Sequence, residues 1–447
     1  MKKINYLDFY NIKNLIFLII LFLSSRLFLF QLIGYNNTID FFHYSNIDLL
    51  KSDLLKTIYY NHSQPLLLNL FLGLLLKIFD GNLERISLVF YFLNIFLTIG
   101  IIIFSYKIMK LFLINKKMIY FILFVLTINP NFIYYENYSN PIYSHINCYL
   151  YFQLVYLILR YSLKKTFNTE VFIYLTLLVQ SQIWSAWQPY LILITFIFFK
   201  IFISKFNIKS FLIFLIIFLT SLAPSIKNSI LFGSFANSSW TGIYLSTVFV
   251  PEPDCAKHKY ILNDDIKNAK TNFDKKYLRE PSLWGPNSGE NNLAIIYMSK
   301  RCLRYAVNRI VNDPFDYIKN RSVQFFISHS KLSFENVRGA PDIGKPKWII
   351  EYLDILDKNF KTPKQLIIFG YMLIIYGGYL YIVIKKINAD DKFKYANILI
   401  LFLQTYYILV THLLNGGYET TRMVYGGFVI QLLFFVNLLN FIKNKKK

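Results

Sequence analysis

The sequence lacks the short motifs that identify the common nucleotide- and metal-dependent enzymes. It contains no Walker phosphate loop, no Rossmann glycine pattern, no Cys/His spacing of the kind that binds a metal, and no internal repeat. These absences leave an ATP-driven mechanism on the cytoplasmic side without support.

Acidic residues are scarce: 25 Asp and Glu stand against 48 Lys and Arg, which gives a net charge of +23. In a soluble protein such an excess would suggest binding to nucleic acid. Here the basic residues are better explained as the ones that hold cytoplasmic loops of a membrane protein in place. We therefore expect no nucleic-acid partner.

Apolar residues, in contrast, are abundant: 55% of the chain is hydrophobic, 19% is aromatic and the mean hydropathy is +0.40. Apolar runs of about 20 residues, enough to cross a hydrocarbon core of about 30 Å, recur along the chain. Because these runs are continuous rather than alternating, they favour helices over a barrel. The sequence therefore predicts an all-α polytopic membrane protein with about ten transmembrane helices.

The positions of lysine and arginine predict which helix ends face the cytoplasm. Lys2, Lys3 and Lys13 precede the first apolar run, so we expect an uncleaved first helix and a cytoplasmic N-terminus. The lysine-rich tail places the C-terminus on the same side. This topology is the one expected for a protein of a bacterial inner membrane.

Three modules follow from this topology. Residues 1–230 form an N-terminal transmembrane module, 231–362 a mainly helical extracytoplasmic domain, and 363–447 the C-terminal transmembrane helices. Within the first module, 34–64 is an outer loop and 65–79 a short apolar helix. At about 15 residues this helix is short for a span, so a juxtamembrane or half-inserted helix is favoured over a tilted true span.

Two of the three cysteines, Cys255 and Cys302, fall in the predicted extracytoplasmic domain. An oxidising outer compartment permits a disulfide between them. The sequence gives no distance, so two unpaired thiols are equally compatible with it. Cys148 lies inside a predicted span and is expected to be a small core residue.

Arg26 lies within the first predicted span, where a charged side chain costs about 2.5–3.5 kcal/mol on insertion scales. Such a residue usually has a partner or a function. One interpretation is snorkelling to the outer headgroups. The other is a cation that holds a lipid phosphate or orients an outer-loop carboxylate.

Polar residues that can carry chemistry gather on the predicted outer side, whereas the inner loops are short and mainly basic. This asymmetry predicts an active face outside. A carboxylate at that surface can act as a general base towards an acceptor hydroxyl. A phosphate leaving group would then need a cation or a metal ion to hold its charge. The residues in question are Asp40, Asp48, Asp53, His62, Gln64, Glu136, Tyr138, His145, Glu419 and Arg422.

Several of these features together resemble a known family. An arginine in the first helix is followed by an outer loop with acids, and then by HSQPLLLN, which opens an apolar helix at His62. The stretches KNSILFGSFANSSWTG, from Lys227, and GYETTR, ending at Arg422, fit the same pattern. The chain resembles the GT-C glycosyltransferases, the membrane class that includes protein mannosyltransferases and the aminoarabinose transferase of lipid A. It is most similar to a bacterial branch with an HSQPPLFN-type motif.

The chain departs from the family pattern at three points. Asp40 is followed by Phe41 where the mannosyltransferases have a second acid. One proline, Pro65, stands where two are usual, and the acid of the second outer loop is Glu136 rather than Asp. These departures leave the identity of the base open, together with the use of a divalent metal ion.

The resemblance implies a role for each matching residue. Asp48, with Asp40 as the alternative, would be the base, and Glu136 a second acid that positions the acceptor or a metal. Arg26 and Arg422 would hold the lipid phosphate. The other substrate-binding candidates are His62 and Gln64, which would shape the sugar pocket, and Tyr138, Trp240 and Glu419.

The function implied is inverting transfer of a hexose or pentose from a polyprenyl-phosphate-linked donor. The acceptor would be a glycan, a glycolipid or a protein on the extracytoplasmic face of the bilayer. One alternative is a flippase or transporter of lipid-linked sugars, which would need polar residues along several spans. Another is a glycan polymerase or ligase with a different membrane fold.

Overall fold

The computed structural model describes 9–33, 44–112, 114–128, 132, 136, 142–246, 255, 293–321, 374, 377–388, 393–414, 438 and 442. Throughout this part of the chain the regular structure is helical, and no strand occurs in it. The prediction of an all-α fold is confirmed for the described residues. In chain order the helices are α1 Phe9–Ile33, α2 Ile47–Ser52, α3 Leu54–Tyr60, α4 Leu66–Ile78, α5 Leu83–Leu111, α6 Lys116–Thr127, α7 Ile142–Leu163, α8 Phe167–Ile183, α9 Tyr190–Phe198, α10 Ile208–Phe232, α11 Thr241–Ser246, α12 Leu293–Asn312, α13 Gly378–Asn388 and α14 Lys394–Leu414.

The principal core forms around α7, which packs against α5, α8 and α14. Its apolar residues are distributed around the helix rather than along one stripe, as expected for a helix enclosed by others. Tyr151, Phe152 and Leu154 on α7 are fully buried in this core. Helix α10 then covers α8, and α1 packs on α6.

Two described helices, α5 and α10, are long and apolar enough to cross a membrane. They have 29 and 25 residues, which corresponds to about 44 and 38 Å. Large apolar side chains on both helices face outwards, among them Phe96, which is 67% exposed, and Ile216, which is 64% exposed. Shorter apolar helices occur at Leu15–Gln31, Leu66–Ile78 and Tyr190–Ile203.

The ends of α5 and α10 follow from local chemistry. The Asn82 side chain accepts a hydrogen bond from the Arg85 backbone N–H and so caps the start of α5. Glu84 and Lys110 lie in the first and last turns of α5, where their charges complement the helix dipole. Helix α10 ends at Gly233, whose φ of 62° lies in the left-handed region that glycine adopts without steric cost.

Helix α4 begins directly after Pro65 and has 13 residues. Its length is therefore about 20 Å, less than the ~30 Å of a hydrocarbon core. It packs against α2, α3 and α8. Its short length agrees with the predicted interval 65–79.

The apolar runs predict helices over Met118–Phe132, Val171–Ala186 and Tyr190–Ile203, and the first two have different bounds in the structure. Helix α6, expected to run to Phe132, ends at Thr127, and the sequence places Pro130 three residues later, which disfavours helix just before it. Helix α8 starts one turn earlier than the apolar run at Val171. Helix α9 continues as a π-helical segment, Phe199–Ile203, so this helical stretch ends at Ile203 as predicted.

Helices α11 and α12 pack closely in the region predicted to be extracytoplasmic. A Cβ atom added to Gly242 would lie 1.9 Å from the carbonyl oxygen of Ser299, so only glycine allows this approach. The Gly242 backbone N–H donates to Ser299 Oγ at 2.9 Å. Cys255 and Cys302 form a disulfide with their Cα atoms 5.1 Å apart, which settles the alternatives left open by the sequence. Cys148 is a buried free thiol.

Candidate functional site

The structure joins Arg26 of α1 to Glu136, which lies between α6 and α7. Arg26 Nε is 2.5 Å from Glu136 Oε2, and Arg26 Nη2 donates to Oε1 at 3.2 Å. The two residues are 3% and 1% exposed. This bidentate geometry is the strong form of an arginine–carboxylate pair. Arg26 is therefore buried with a partner, and it does not snorkel.

The surroundings of Arg26 are apolar on one side. Its guanidinium carbon lies 4.4 Å from the ring centre of Phe22, one helical turn earlier on α1. A cation over an aromatic face is attracted by the ring quadrupole, more so when water is excluded. Together, Phe22 and Glu136 fix the plane of the guanidinium group.

Glu136 also accepts a hydrogen bond from Thr98 of α5, whose Oγ1 lies 2.8 Å from Oε1. Thr98 Oγ1 in turn lies 2.9 Å from His145 Nε2, and the same nitrogen is 3.1 Å from the backbone oxygen of Asn94. A carbonyl oxygen only accepts, so Nε2 carries the proton in this arrangement. The chain of donors thus runs from His145 through Thr98 to Glu136. We call Arg26, Thr98, Glu136 and His145 the Arg26 cluster.

A second set of contacts joins two distant stretches of sequence at the C-terminal end of α10. His62 Nδ1 lies 2.9 Å from Ser239 Oγ, and the Ser239 backbone N–H donates to the His62 carbonyl oxygen at 2.9 Å. Ser238 Oγ donates to the Ser63 carbonyl oxygen at 2.5 Å. Lys227 Nζ donates to the carbonyl oxygen of Asn61. We call these six residues the His62 seam.

The environment of His62 keeps its imidazole neutral. Burial, with a smaller contribution from the positive charge of Lys227, lowers the pKa of His62 from 6.5 to about 3. Its ring makes an edge-to-face contact with Phe232, with the ring centres 5.0 Å apart. A neutral imidazole at this position serves as a hydrogen-bonding spacer between the two stretches.

Trp240 follows the seam directly and is 7% exposed. It packs in a small apolar cluster with Ile243, Ile295 and Met298, next to the disulfide. The seam is therefore anchored on one side by α4 and on the other by the paired helices α11 and α12.

Asp48 occupies a different kind of position. It is exposed in the first turn of α2, where an acid complements the helix dipole. Its backbone N–H donates to Asn46 Oδ1 at 2.9 Å. Among the described contacts, none joins Asp48 to the Arg26 cluster or to the His62 seam.

The remaining candidates are distributed as follows. Gln64 is half-buried beside the seam, and the Asn61 side chain donates to its carbonyl oxygen at 3.2 Å. Asp40, Tyr138, Glu419 and Arg422 lie outside the described residues.

Sequence reasoning missed Thr98 and Asn94, which lie one turn apart on α5 and hold His145 and Glu136 in place. Single small polar residues are common in apolar helices. The one available signal is their four-residue spacing, which puts both on one helix face. Lys227 was part of a stretch singled out by the resemblance, but its contact with the Asn61 carbonyl could not be read from the sequence.

The described residues do not form a metal site. No group of three or more His, Cys, Asp or Glu side chains within this part of the chain could hold an ion. Both Glu136 oxygens are already engaged by Arg26 and Thr98.

No protein-family model, curated protein or solved structure matches this chain.

Proposed function

We propose that this protein is a polytopic integral membrane glycosyltransferase. It transfers a sugar from a polyprenyl-phosphate-linked donor to an acceptor on the extracytoplasmic face. The proposal combines the described geometry with the motif resemblance to the GT-C class.

The observation that carries the proposal is the convergence of Arg26 on Glu136. The two residues are 110 positions apart in sequence, yet they form a buried bidentate pair. The resemblance assigns both of them to one site, on the basis of motifs that are unrelated to each other in sequence. Burying such a pair carries a desolvation cost, which a purely structural contact between apolar side chains would avoid.

The His62 seam supports the same proposal. HSQPLLLN and KNSILFGSFANSSWTG were singled out by the resemblance as parts of one pattern. They lie more than 160 residues apart along the chain, and hydrogen bonds from Ser238, Ser239 and Lys227 join them. The seam holds α11 and α12 next to the start of α4.

The proposed reaction is a single displacement at the anomeric carbon. A carboxylate, Asp48 or Asp40, takes the proton from the acceptor hydroxyl while its oxygen attacks that carbon. The bond from the anomeric carbon to the phosphate oxygen breaks, and the lipid phosphate leaves with the electron pair. Attack opposite the leaving group inverts the configuration.

The Arg26 cluster has a positioning role in this scheme. Two donor groups of Arg26 are committed to Glu136, so the guanidinium holds this buried carboxylate in a fixed orientation. The resemblance then leaves Arg422 to hold the charge that develops on the phosphate.

The disulfide supports the proposed orientation. Cys255 and Cys302 are paired, and disulfides persist in oxidising compartments such as the bacterial periplasm. The basic ends of α6 and α7 would then lie on the cytoplasmic side.

A specific observation also favours a second candidate, transport of a lipid-linked sugar. Asn94, Asn147 and Gln180 lie fully buried in α5, α7 and α8. The side-chain amide atoms of these three residues have no hydrogen-bond partner among the described residues. Buried polar groups within apolar helices are typical of a substrate pathway.

Mass spectrometry of surface glycans and glycolipids tests the proposal. Native cells are compared with a deletion strain and with deletion strains that carry the wild type, Asp48→Asn, Asp40→Asn or both changes at equal expression. Glu84→Gln is the matched control, because Glu84 is also an exposed acid in the first turn of a helix.

We expect a defined sugar mass to disappear on deletion and to return with the wild type and with Glu84→Gln. It should not return with the double variant, nor with the single variant, Asp48→Asn or Asp40→Asn, that removes the base. Full recovery by the Asp40→Asn, Asp48→Asn double variant would show that neither acid is the base. Transport would be favoured if the deletion strain accumulated the intact lipid-linked sugar inside the cells and the double variant restored the surface glycan.

A further inference from the structure

A cleft of about 660 Å³ lies at the other ends of the helices, away from the His62 seam. It opens between the end of α7, the start of α8, the π-helical segment after α9, and the start of α10. Neither the motifs nor the proposed reaction uses it. Its lining residues include Lys165, Lys200, Lys205, Ser204, Asn207 and Ser210.

The floor of the cleft is a fully satisfied buried network. Glu170 Oε1 accepts hydrogen bonds from Lys200 Nζ at 2.6 Å, Ser210 Oγ at 2.6 Å and Tyr174 at 2.7 Å. Its other oxygen accepts from Tyr161 at 2.9 Å. The side chains of Lys200 and Glu170 are 10% and 5% exposed. The charge of Lys200 is therefore held in place and balanced by Glu170.

The walls carry charge that is not balanced in this way. Lys165 and Lys205 are exposed, and among the described residues neither has an ion-pair partner. With Lys200 and Glu170 neutralising each other, the lining has a net charge of about +2, which raises the local concentration of anions. The cleft is thus electrostatically suited to a small polyanionic group.

The rim of the cleft is apolar and exposed. Ile201 is 65% exposed, Phe202 46% and Phe167 39%, and all three line the opening. Lysine ammonium groups next to exposed apolar side chains at a helix end are the arrangement expected where a bilayer changes from hydrocarbon to headgroup. Basic pockets between helices on the cytoplasmic side are suited to anionic headgroups.

We infer that this cleft binds a phosphate-bearing anion, with Lys165 and Lys205 as the ligands, and that the source is an anionic lipid of the cytoplasmic leaflet. The apolar rim favours a lipid over a soluble phosphate, because acyl chains would cover Ile201 and Phe202. This site depends on the proposed membrane orientation but is independent of the proposed sugar transfer.

Lipid binding to the purified full-length protein in a neutral detergent tests the inference. Fluorescent phosphatidylglycerol is titrated, with phosphatidylcholine as the uncharged-lipid comparison and inorganic phosphate as a competitor. The test variant is Lys165→Gln with Lys205→Gln. The matched control is Lys116→Gln with Lys117→Gln, since these exposed lysines start α6 and do not line the cleft.

We expect phosphatidylglycerol to bind more tightly than phosphatidylcholine, and the test variant to weaken that binding about twenty-fivefold, at about fivefold per lysine. The control pair should leave it unchanged. Equal loss in both lysine pairs would overturn the site. If inorganic phosphate alone bound as tightly as the lipid, in a manner lost in the test variant, the lipid assignment would be overturned in favour of a soluble phosphate.

Discussion

At the scale of single residues, the Arg26–Glu136 pair depends on both charges being present. The pair is bidentate, and both side chains are almost wholly buried. Neutralising one partner leaves the other as a buried, uncompensated charge, which costs more than removing both. The variants of this pair therefore separate a requirement for charge balance from a requirement for the carboxylate itself.

Glu136→Gln should destabilise the protein strongly, by about 3–5 kcal/mol, because it leaves Arg26 buried without a counter-charge. The Arg26→Met, Glu136→Gln double variant should recover a large part of this loss. Thermal unfolding of the purified protein in detergent measures both effects. A single variant with the wild-type melting temperature would mean that the pair is not formed in solution.

The burial of His62 predicts that the stability of the folded protein falls at acidic pH. Its pKa is 6.5 in the unfolded chain and about 3 in the folded protein, so the unfolded state binds the proton more readily. The contribution to stability is complete above pH 6.5 and falls as the pH drops towards 3. At pH 5 the loss is about 2 kcal/mol.

The measurement compares melting temperatures between pH 7.5 and 5 for the wild type and for His62→Gln. We expect a shallower decline in the variant, since glutamine keeps a hydrogen bond towards Ser239 but does not titrate. Identical pH profiles would show that His62 is not buried in the seam.

At the scale of helices, the apolar runs predicted most of the described elements. The sequence predicts helices over Arg85–Tyr106, Ile142–Tyr161 and Asn291–Asn312. Helices α5, α7 and α12 lie within five residues of these bounds, because long apolar or amphipathic runs specify helix directly. The early start of α8 was not foreseen. Glu170 lies before the predicted start at Val171, yet it is buried and accepts hydrogen bonds from Tyr161 of α7, Lys200 of the π-helical segment and Ser210 of α10.

The candidate site was likewise predictable from the sequence only in part. The cost of a charge inside an apolar run predicted that Arg26 has a partner or a function, and the resemblance brought Glu136 to notice. Thr98 could not be found, because one sequence does not show which face of α5 meets His145. The pairing of Cys255 with Cys302 likewise required a distance.

The next prediction concerns the close packing of α11 against α12 at Gly242. Gly242→Ala should cost about 1–3 kcal/mol, because the added methyl group overlaps the Ser299 backbone. Gly377→Ala is the matched control, since a Cβ atom there meets nothing within 4 Å. Melting temperatures and the rate of limited proteolysis between α11 and α12 report the difference. Equal effects of the two substitutions would contradict the described packing.

At the scale of the whole molecule, the His62 seam and the lysine-lined cleft lie at opposite ends of α10. The end that holds the His62 seam and the disulfide is proposed to face outwards, and exposed Asp48 is proposed to lie on the same side of the membrane. The other end holds the lysine-lined cleft with Lys165 and Lys205, and it is proposed to face the cytoplasm. Both the proposed sugar transfer and the proposed lipid site require this orientation.

The most direct test is labelling of single introduced cysteines with a membrane-impermeant maleimide. The native chain offers little background, since Cys148 is buried and the other two cysteines are paired. Asp48→Cys and Lys205→Cys are labelled in intact cells and again after permeabilisation, because both positions are exposed. The account predicts labelling of the Asp48→Cys variant in intact cells and of the Lys205→Cys variant only after permeabilisation. The reverse pattern, or labelling of both in intact cells, would contradict it.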